Sequence, residues 1–181
     1  MDITGLIDEL IDREGGYVND ASDAGGATRF GITQAVARQN GYTGDMRVFP
    51  RDEAVAIYRR RYWLRPQFSE VARRAPTIAA ELFDTGVNMG PATAAGFLQR
   101  ALNALNRGQR DYPDLMLDGA IGPATLGALD GFLNTRGSAG ERVLLKAIEA
   151  LQGARYIALA ERRPANEAFL YGWLANRIGS F

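Results

Sequence analysis

Glu14 is the first residue whose type and position point to chemistry. Ile3, Leu6, Ile7, Leu10 and Ile11 recur at helical spacing and mark one apolar face. Glu14 is the next member of that series, four residues after Leu10 and three after Ile11. Gly15 and Gly16 follow it and end the helix. A carboxyl group on the core-facing side of a last turn is expected to be partly desolvated. It also faces the negative end of the helix dipole. Both effects favour the neutral acid over the anion. A carboxylic acid held neutral donates a proton to a leaving group.

A glycosidic bond needs such an acid and a second polar group across the scissile bond, either a nucleophile or a base that holds water. Asp20, Asp23, Thr28 and Thr33 lie within a short stretch after Glu14. Asn19-Asp20 and Ala24-Gly25-Gly26 are turn signals, and Thr28 to Ile32 has strand character, so a short irregular hairpin is expected here. It would bring all four side chains toward one cleft. Asp20 or Asp23 then serves as the second carboxylate, and Thr28 or Thr33 positions a water. Asx-turn chemistry is the plainer use of the two aspartates. A calcium loop is disfavoured, because the alternating ligands and distal Glu of an EF-hand are absent.

These residues carry a family resemblance. Glu14-Gly15-Gly16-Tyr17-Val18-Asn19-Asp20, then Asp23-Ala24-Gly25-Gly26-Ala27-Thr28 and Gly31-Ile32-Thr33, resemble the signature of glycoside hydrolase family 108. Those proteins are N-acetylmuramidases of the endolysin type, with a lysozyme-like fold. Phe83-Asp84-Thr85-Gly86-Val87-Asn88-Met89-Gly90-Pro91 resembles the family's central helix. Phe97-Leu98-Gln99-Arg100-Ala101-Leu102-Asn103 and Leu117-Asp118-Gly119-Ala120-Ile121-Gly122-Pro123-Ala124-Thr125 resemble its peptidoglycan-binding-like half. Ala160-Glu161-Arg162-Arg163-Pro164, Phe169 to Leu174 and Asn176-Arg177 resemble its C-terminal end.

The resemblance implies cleavage of the β-1,4 bond between N-acetylmuramic acid and N-acetylglucosamine, with Glu14 as the catalytic acid. Asp20, Asp23 and Thr28 remain candidates for the second group. Tyr17, Thr33 and Asn88 are the expected glycan contacts, and a C-terminal cap with Gly90 is the competing use of Asn88. Three alternatives stand beside this one. The chain could bind peptidoglycan without cleaving it, act as a lytic transglycosylase, or serve as a secretion or assembly accessory protein.

Composition narrows the chemistry further. Histidine and cysteine are both absent, which excludes Ser-His-Asp and Cys-His catalysis and removes the usual ligand of a catalytic zinc. No metal or organic cofactor is expected. Charge balances at 21 basic and 21 acidic residues, so the basic footprint of a nucleic-acid binder is missing. Arg59-Arg60-Arg61 and Arg73-Arg74 read as solvated helix faces, or less simply as contacts to an anionic wall or membrane. No segment approaches the ~20 apolar residues of a membrane span. The first residues show an amphipathic stripe rather than an export signal. Cytoplasmic synthesis is therefore expected, with action on the wall or periplasm after release, through a holin if the source is a phage. The partner is peptidoglycan, and the protein is expected to be a monomer.

The elements that must position these residues are mostly helices. Thr33 caps a helix to about Asn40, and Arg51 to Trp63 starts after Pro50. Pro76 opens a helix with Ile78, Ala79, Leu82, Phe83 and Gly86 on one face, and Ala92 to Asn106 forms the next. Asp118-Gly119 makes a tight turn, and Pro123 opens another helix. Two more are expected, at 140–161 and 166–179, with Phe169, Leu170, Trp173 and Leu174 as core residues. The expected fold is α+β, predominantly helical and lysozyme-like, in one domain over 1–181. Its catalytic half is 1–91 and its peptidoglycan-binding-like half is 92–181, with no linker.

Overall fold

The computed structural model describes residues 3–19 and 26–179. The fold is predominantly helical, with one small two-stranded antiparallel sheet. By packing, the chain divides into two compact units, Met1–Trp63 and Leu64–Phe181.

In the first unit, α1 (Ile3–Glu14) buries Ile7, Leu10 and Ile11. It packs against α3 (Arg51–Tyr58), which buries Ala54, Ile57 and Tyr58. Arg51 of α3 donates to Asp8 of α1 at 2.6 Å, fixing the register of the pair. Two short strands, β1 (Thr28–Arg29) and β2 (Ile32–Thr33), pair Thr28 with Thr33 and Arg29 with Ile32. Thr33 then caps α2 (Gln34–Gln39), its hydroxyl accepting from Val36 N at 3.3 Å, as its residue type leads one to expect. A π-helical turn, Arg59–Leu64, continues α3. Its arginines are engaged within the unit: Arg59 donates to Thr4, Arg60 to Asn40 and Arg61 to Gln39.

The second unit is built on α5 (Pro76–Met89), which buries every residue from Ile78 to Gly86. Around it lie α4 (Phe68–Ala72), α6 (Pro91–Leu105) and α7 (Pro123–Arg162). By packing, α5 belongs to the second unit. Gly137, at φ 60° and ψ −159°, interrupts α7 and leaves two helical stretches. The second stretch covers the helix expected over 140–161.

The last helix, α8 (Glu167–Arg177), buries none of its residues. Phe169 is 59% exposed, and Leu170, Trp173 and Leu174 are half-buried, so the core role expected for them is not observed. The helix lies on α7, with Trp173 stacked on Tyr156 at 5.2 Å.

Long polar side chains brace the second unit. Gln99 of α6 is buried and holds the loop before α7. Its amide donates to Asp118 at 2.7 Å and to the Ala120 carbonyl at 2.9 Å, and its carbonyl accepts from Gly119 N at 3.0 Å. Asn103 and Asn106 bracket the preceding residues in the same manner, through Leu115 and Tyr112.

Candidate functional site

The end of α1 and the hairpin form one piece of structure. Gly15, at φ 78°, stops the helix directly after Glu14, and its N–H donates back to Ile11 at 3.2 Å. The Gly15 carbonyl accepts from Phe30 N at 3.2 Å, which ties the helix end to the hairpin turn. Val18 and Thr28 exchange two backbone hydrogen bonds of 2.8 Å, extending the ladder by one pair.

The turn itself has two residues, Phe30 (φ 54°) and Gly31 (φ 72°). Positive φ at both positions is the pattern of a type I′ hairpin turn, which suits the twist of its strands. Glycine meets that demand without strain, whereas Phe30 needs support. The Arg29 guanidinium lies over its ring at 4.9 Å. The Phe30 carbonyl accepts from the Tyr58 hydroxyl at 3.1 Å. Tyr58 is buried, and that burial holds its phenol well above the ordinary value, with the Glu14 charge adding to the effect. Tyr58 therefore stays a donor at any working pH.

Gly31 also decides where Glu14 sits. A Cβ built on Gly31 would lie 2.9 Å from the Cγ of Glu14 and would also collide with the Tyr58 hydroxyl. The stem of Glu14 is thus laid against bare backbone, with Tyr58 beside it. The Glu14 side chain is exposed, not partly buried as its place in the apolar series suggests. The physical reason is that Ile7, Leu10 and Ile11 already complete the face buried in the unit's core. Glu14 lies one turn beyond them.

The other expected residues fall out as follows. Asp20 and Asp23 lie outside the described residues. Thr28 sits on β1, and its hydroxyl donates to Gly26 O at 3.4 Å, long for such a bond. Tyr17 is 38% exposed, three residues from Glu14. Thr33 is on β2, and its hydroxyl is engaged as the cap of α2. Asn88 belongs to the second unit. Its amide donates to the Asp84 carbonyl one turn earlier at 2.7 Å, while the helix end is closed by Gly90 N on Gly86 O.

Sequence reading missed Tyr58, Phe30 and Gly31 as supports of Glu14. The available signal was Gly31 in the Thr-Arg-Phe-Gly-Ile-Thr run, where two short β segments flank a two-residue turn.

A second polar cluster lies inside the second unit. Glu81 is fully buried and accepts from Thr85 at 3.0 Å, and Thr85 in turn accepts from Gln152 at 2.9 Å. Glu81 Oε2, Gln152 Oε1 and the Tyr156 hydroxyl are buried without a hydrogen-bond partner. Burial pushes the Glu81 carboxyl up to about 7, against the Thr85 hydrogen bond and with the charges of Asp84 and Glu149 helping. Asp84 is itself paired with Arg177 at 3.0 Å. Among the described residues no group of three or more Asp, Glu, His or Cys could hold a metal ion. Likewise, no helix among them is long and apolar enough to cross a membrane.

Comparison with known proteins divides the chain near residues 91–92, later than the division by packing. Residues 7–90 match the family model Glycosyl hydrolase 108, and residues 93–178 match the model Predicted Peptidoglycan domain. Residues 7–90 thus resemble the glycosyl hydrolase 108 family, and the fold is predominantly helical and lysozyme-like. A solved structure of Brucella abortus SagA is similar with a TM-score of 0.58 at 23% identity, covering 97% of this chain and 95% of that one. No functionally curated protein matches the chain. The two family models together support a peptidoglycan-acting glycosidase.

Proposed function

We propose that the protein is an N-acetylmuramidase that cleaves the β-1,4 bond between N-acetylmuramic acid and N-acetylglucosamine, with Glu14 as general acid. The observation that carries this is the placement of Glu14. Its carboxyl is exposed to an incoming glycan, yet its stem is held by Gly31 and Tyr58 within the region that matches the glycosidase family. A glycan laid over the end of α1 would exclude water from around the carboxyl.

In this reading Glu14 gives its proton to the departing oxygen of N-acetylglucosamine as the bond to the muramic acid C1 breaks. Positive charge develops on that carbon and its ring oxygen. Asp20 or Asp23 stabilises this charge or takes a proton from the attacking water, and Thr28 orients the water. The separation of the two carboxyl groups then sets the outcome: about 5–5.5 Å for retention, about 6.5–9.5 Å for inversion.

The test is digestion of purified peptidoglycan by wild type and Glu14→Gln, with products identified by mass spectrometry. Wild type should release reducing-end muramic acid. The variant should be slower by at least ~10²-fold, as expected when a general acid is lost. Anhydro-muramic ends would instead identify a transglycosylase. An intact glycan that still retains wild type in a pull-down would make the fold a binding module.

A further inference from the structure

A groove of about 390 Å³ runs between α6 and the second stretch of α7. Thr93, Phe97 and Arg100 supply one wall at helical spacing, and Leu151, Ala154 and Arg155 supply the other. Phe97 is buried, whereas both arginines are exposed. Neither guanidinium has an ion-pair or hydrogen-bond partner among the described residues. Elsewhere in the same unit Arg74, Arg107 and Arg177 are each paired with an aspartate. No carboxylate lines the groove. Two uncompensated cations therefore flank an apolar floor, in a volume within the range of ligand sites.

The glycan of peptidoglycan is neutral once its lactyl carboxyl is joined to peptide. Its stem peptide is not. A stem tetrapeptide carries a free α-carboxylate on its γ-linked D-Glu and another at its C-terminus, and alanyl methyl groups lie close to both. Arginine is the residue best suited to grip carboxylates, through paired N–H donors. The Thr93 hydroxyl donates to Met89 O at 2.9 Å, so its oxygen is left to accept a peptide N–H. The whole groove lies inside the stretch that matches the Predicted Peptidoglycan domain.

We infer that this groove binds the stem peptide of peptidoglycan, with Arg100 and Arg155 each holding one carboxylate and Phe97, Leu151 and Ala154 receiving alanyl methyls. The inference rests on the reading that peptidoglycan is the substrate. It gives the second unit a task of its own, recognition of peptide-bearing wall, separate from attack on the sugar chain.

The experiment is calorimetric titration of the full chain with the tetrapeptide L-Ala-γ-D-Glu-meso-diaminopimelate-D-Ala. Parallel titrations use the same peptide with every carboxylate amidated, and inorganic phosphate. Wild type should bind the free acid, and binding should weaken as salt rises. Arg100→Gln and Arg155→Gln should each raise the Kd about 10-fold, the loss expected for a charge-assisted pair. Thermal melts confirm that both variants are folded. The salt and amide arms test the same point without any substitution.

Absence of wild-type binding, equal binding of the amidated peptide, or full competition by phosphate would each overturn the proposal. So would folded variants that bind like wild type. Cleavage of peptide-free glycan strands by wild type is measured alongside. Cleavage without peptide binding refutes the groove and leaves the muramidase reading intact, and peptide binding without cleavage does the reverse.

Discussion

Gly31 is the surface on which Glu14 rests: a single added carbon at Gly31 would come within 2.9 Å of the Glu14 Cγ. Its φ of 72° adds a second reason for glycine. Gly31→Ala should cost about 1–2 kcal/mol from left-handed strain, and the collision with Glu14 adds to that. A chain of this size should lose roughly 2–8 °C in Tm. Activity should fall further than stability, because a catalytic group moved by ~1 Å can cost about 10²-fold. Calorimetry, with a peptidoglycan assay run well below the Tm, separates the two. A variant with full turnover would show that Gly31 does not position Glu14.

Tyr58→Phe removes one oxygen and leaves the Phe30 carbonyl without its 3.1 Å donor. The bond is part-buried, so its loss should cost about 1 kcal/mol. The turn carrying Phe30 at φ 54° should loosen, and Glu14 should lose its lateral support. The expected signature is a lower kcat with KM little changed, since the contact acts on the acid and not on the glycan. A pure KM effect would instead place Tyr58 in glycan binding.

Glu81 makes the stability of the second unit depend on pH. Its folded value of about 7 stands above the ordinary 4.5. Between those values the folded state keeps a proton that the unfolded chain has released. The contribution is thus fully present below about pH 4.5 and is lost as pH rises through 7, with a total of at most about 3 kcal/mol. Glu81→Gln keeps the shape and removes the titration. Denaturant midpoints at pH 5 and pH 8 should differ for wild type and converge for the variant. Parallel slopes in the two proteins would exclude Glu81 as the source.

Gln99→Leu tests the loop before α7. The substitution keeps the volume and removes the bonds to Asp118, Gly119 and Ala120. The Gln99 amide first, and then the Ala120 N–H, also hold the Asp118 carboxyl below its usual range. Loss of about 1–3 kcal/mol is expected, with faster proteolytic cleavage near Leu117, which is exposed. Unchanged protection would mean that Asn103 and Asn106 hold the loop without Gln99.

Much of this was legible in the sequence, because it rests on local rules. The apolar spacing marked the buried face of α1, Thr33 announced the cap of α2, and Pro123 the start of α7. A hairpin was expected, but the turn between β1 and β2, Phe30-Gly31, falls inside the stretch read as strand, Thr28 to Ile32. What stayed hidden depends on contacts distant in sequence. Glu14 extends an apolar series, yet only the packing of α1 on α3 shows that the series is complete at Ile11. Glu81 shares the apolar face of α5, and its partner network runs through Gln152, 67 residues from Thr85. Phe169 and Trp173 have core composition, but α8 buries none of its residues. Asp20 and Asp23 lie outside the described residues, so the second catalytic group rests on the sequence.

The break at Gly137 has a consequence for length. An unbroken helix of the 40 residues from Pro123 to Arg162 would be about 60 Å long. A unit the size of Leu64–Phe181 is on the order of 35 Å across. Without the break, roughly half of that rod would project into water, with its apolar side chains uncovered. With it, one segment reaches two distant places: Asp130 before the break meets Arg74, and Gln152 after it meets Thr85. One glycine thus lets a single helical sequence close the unit from two directions.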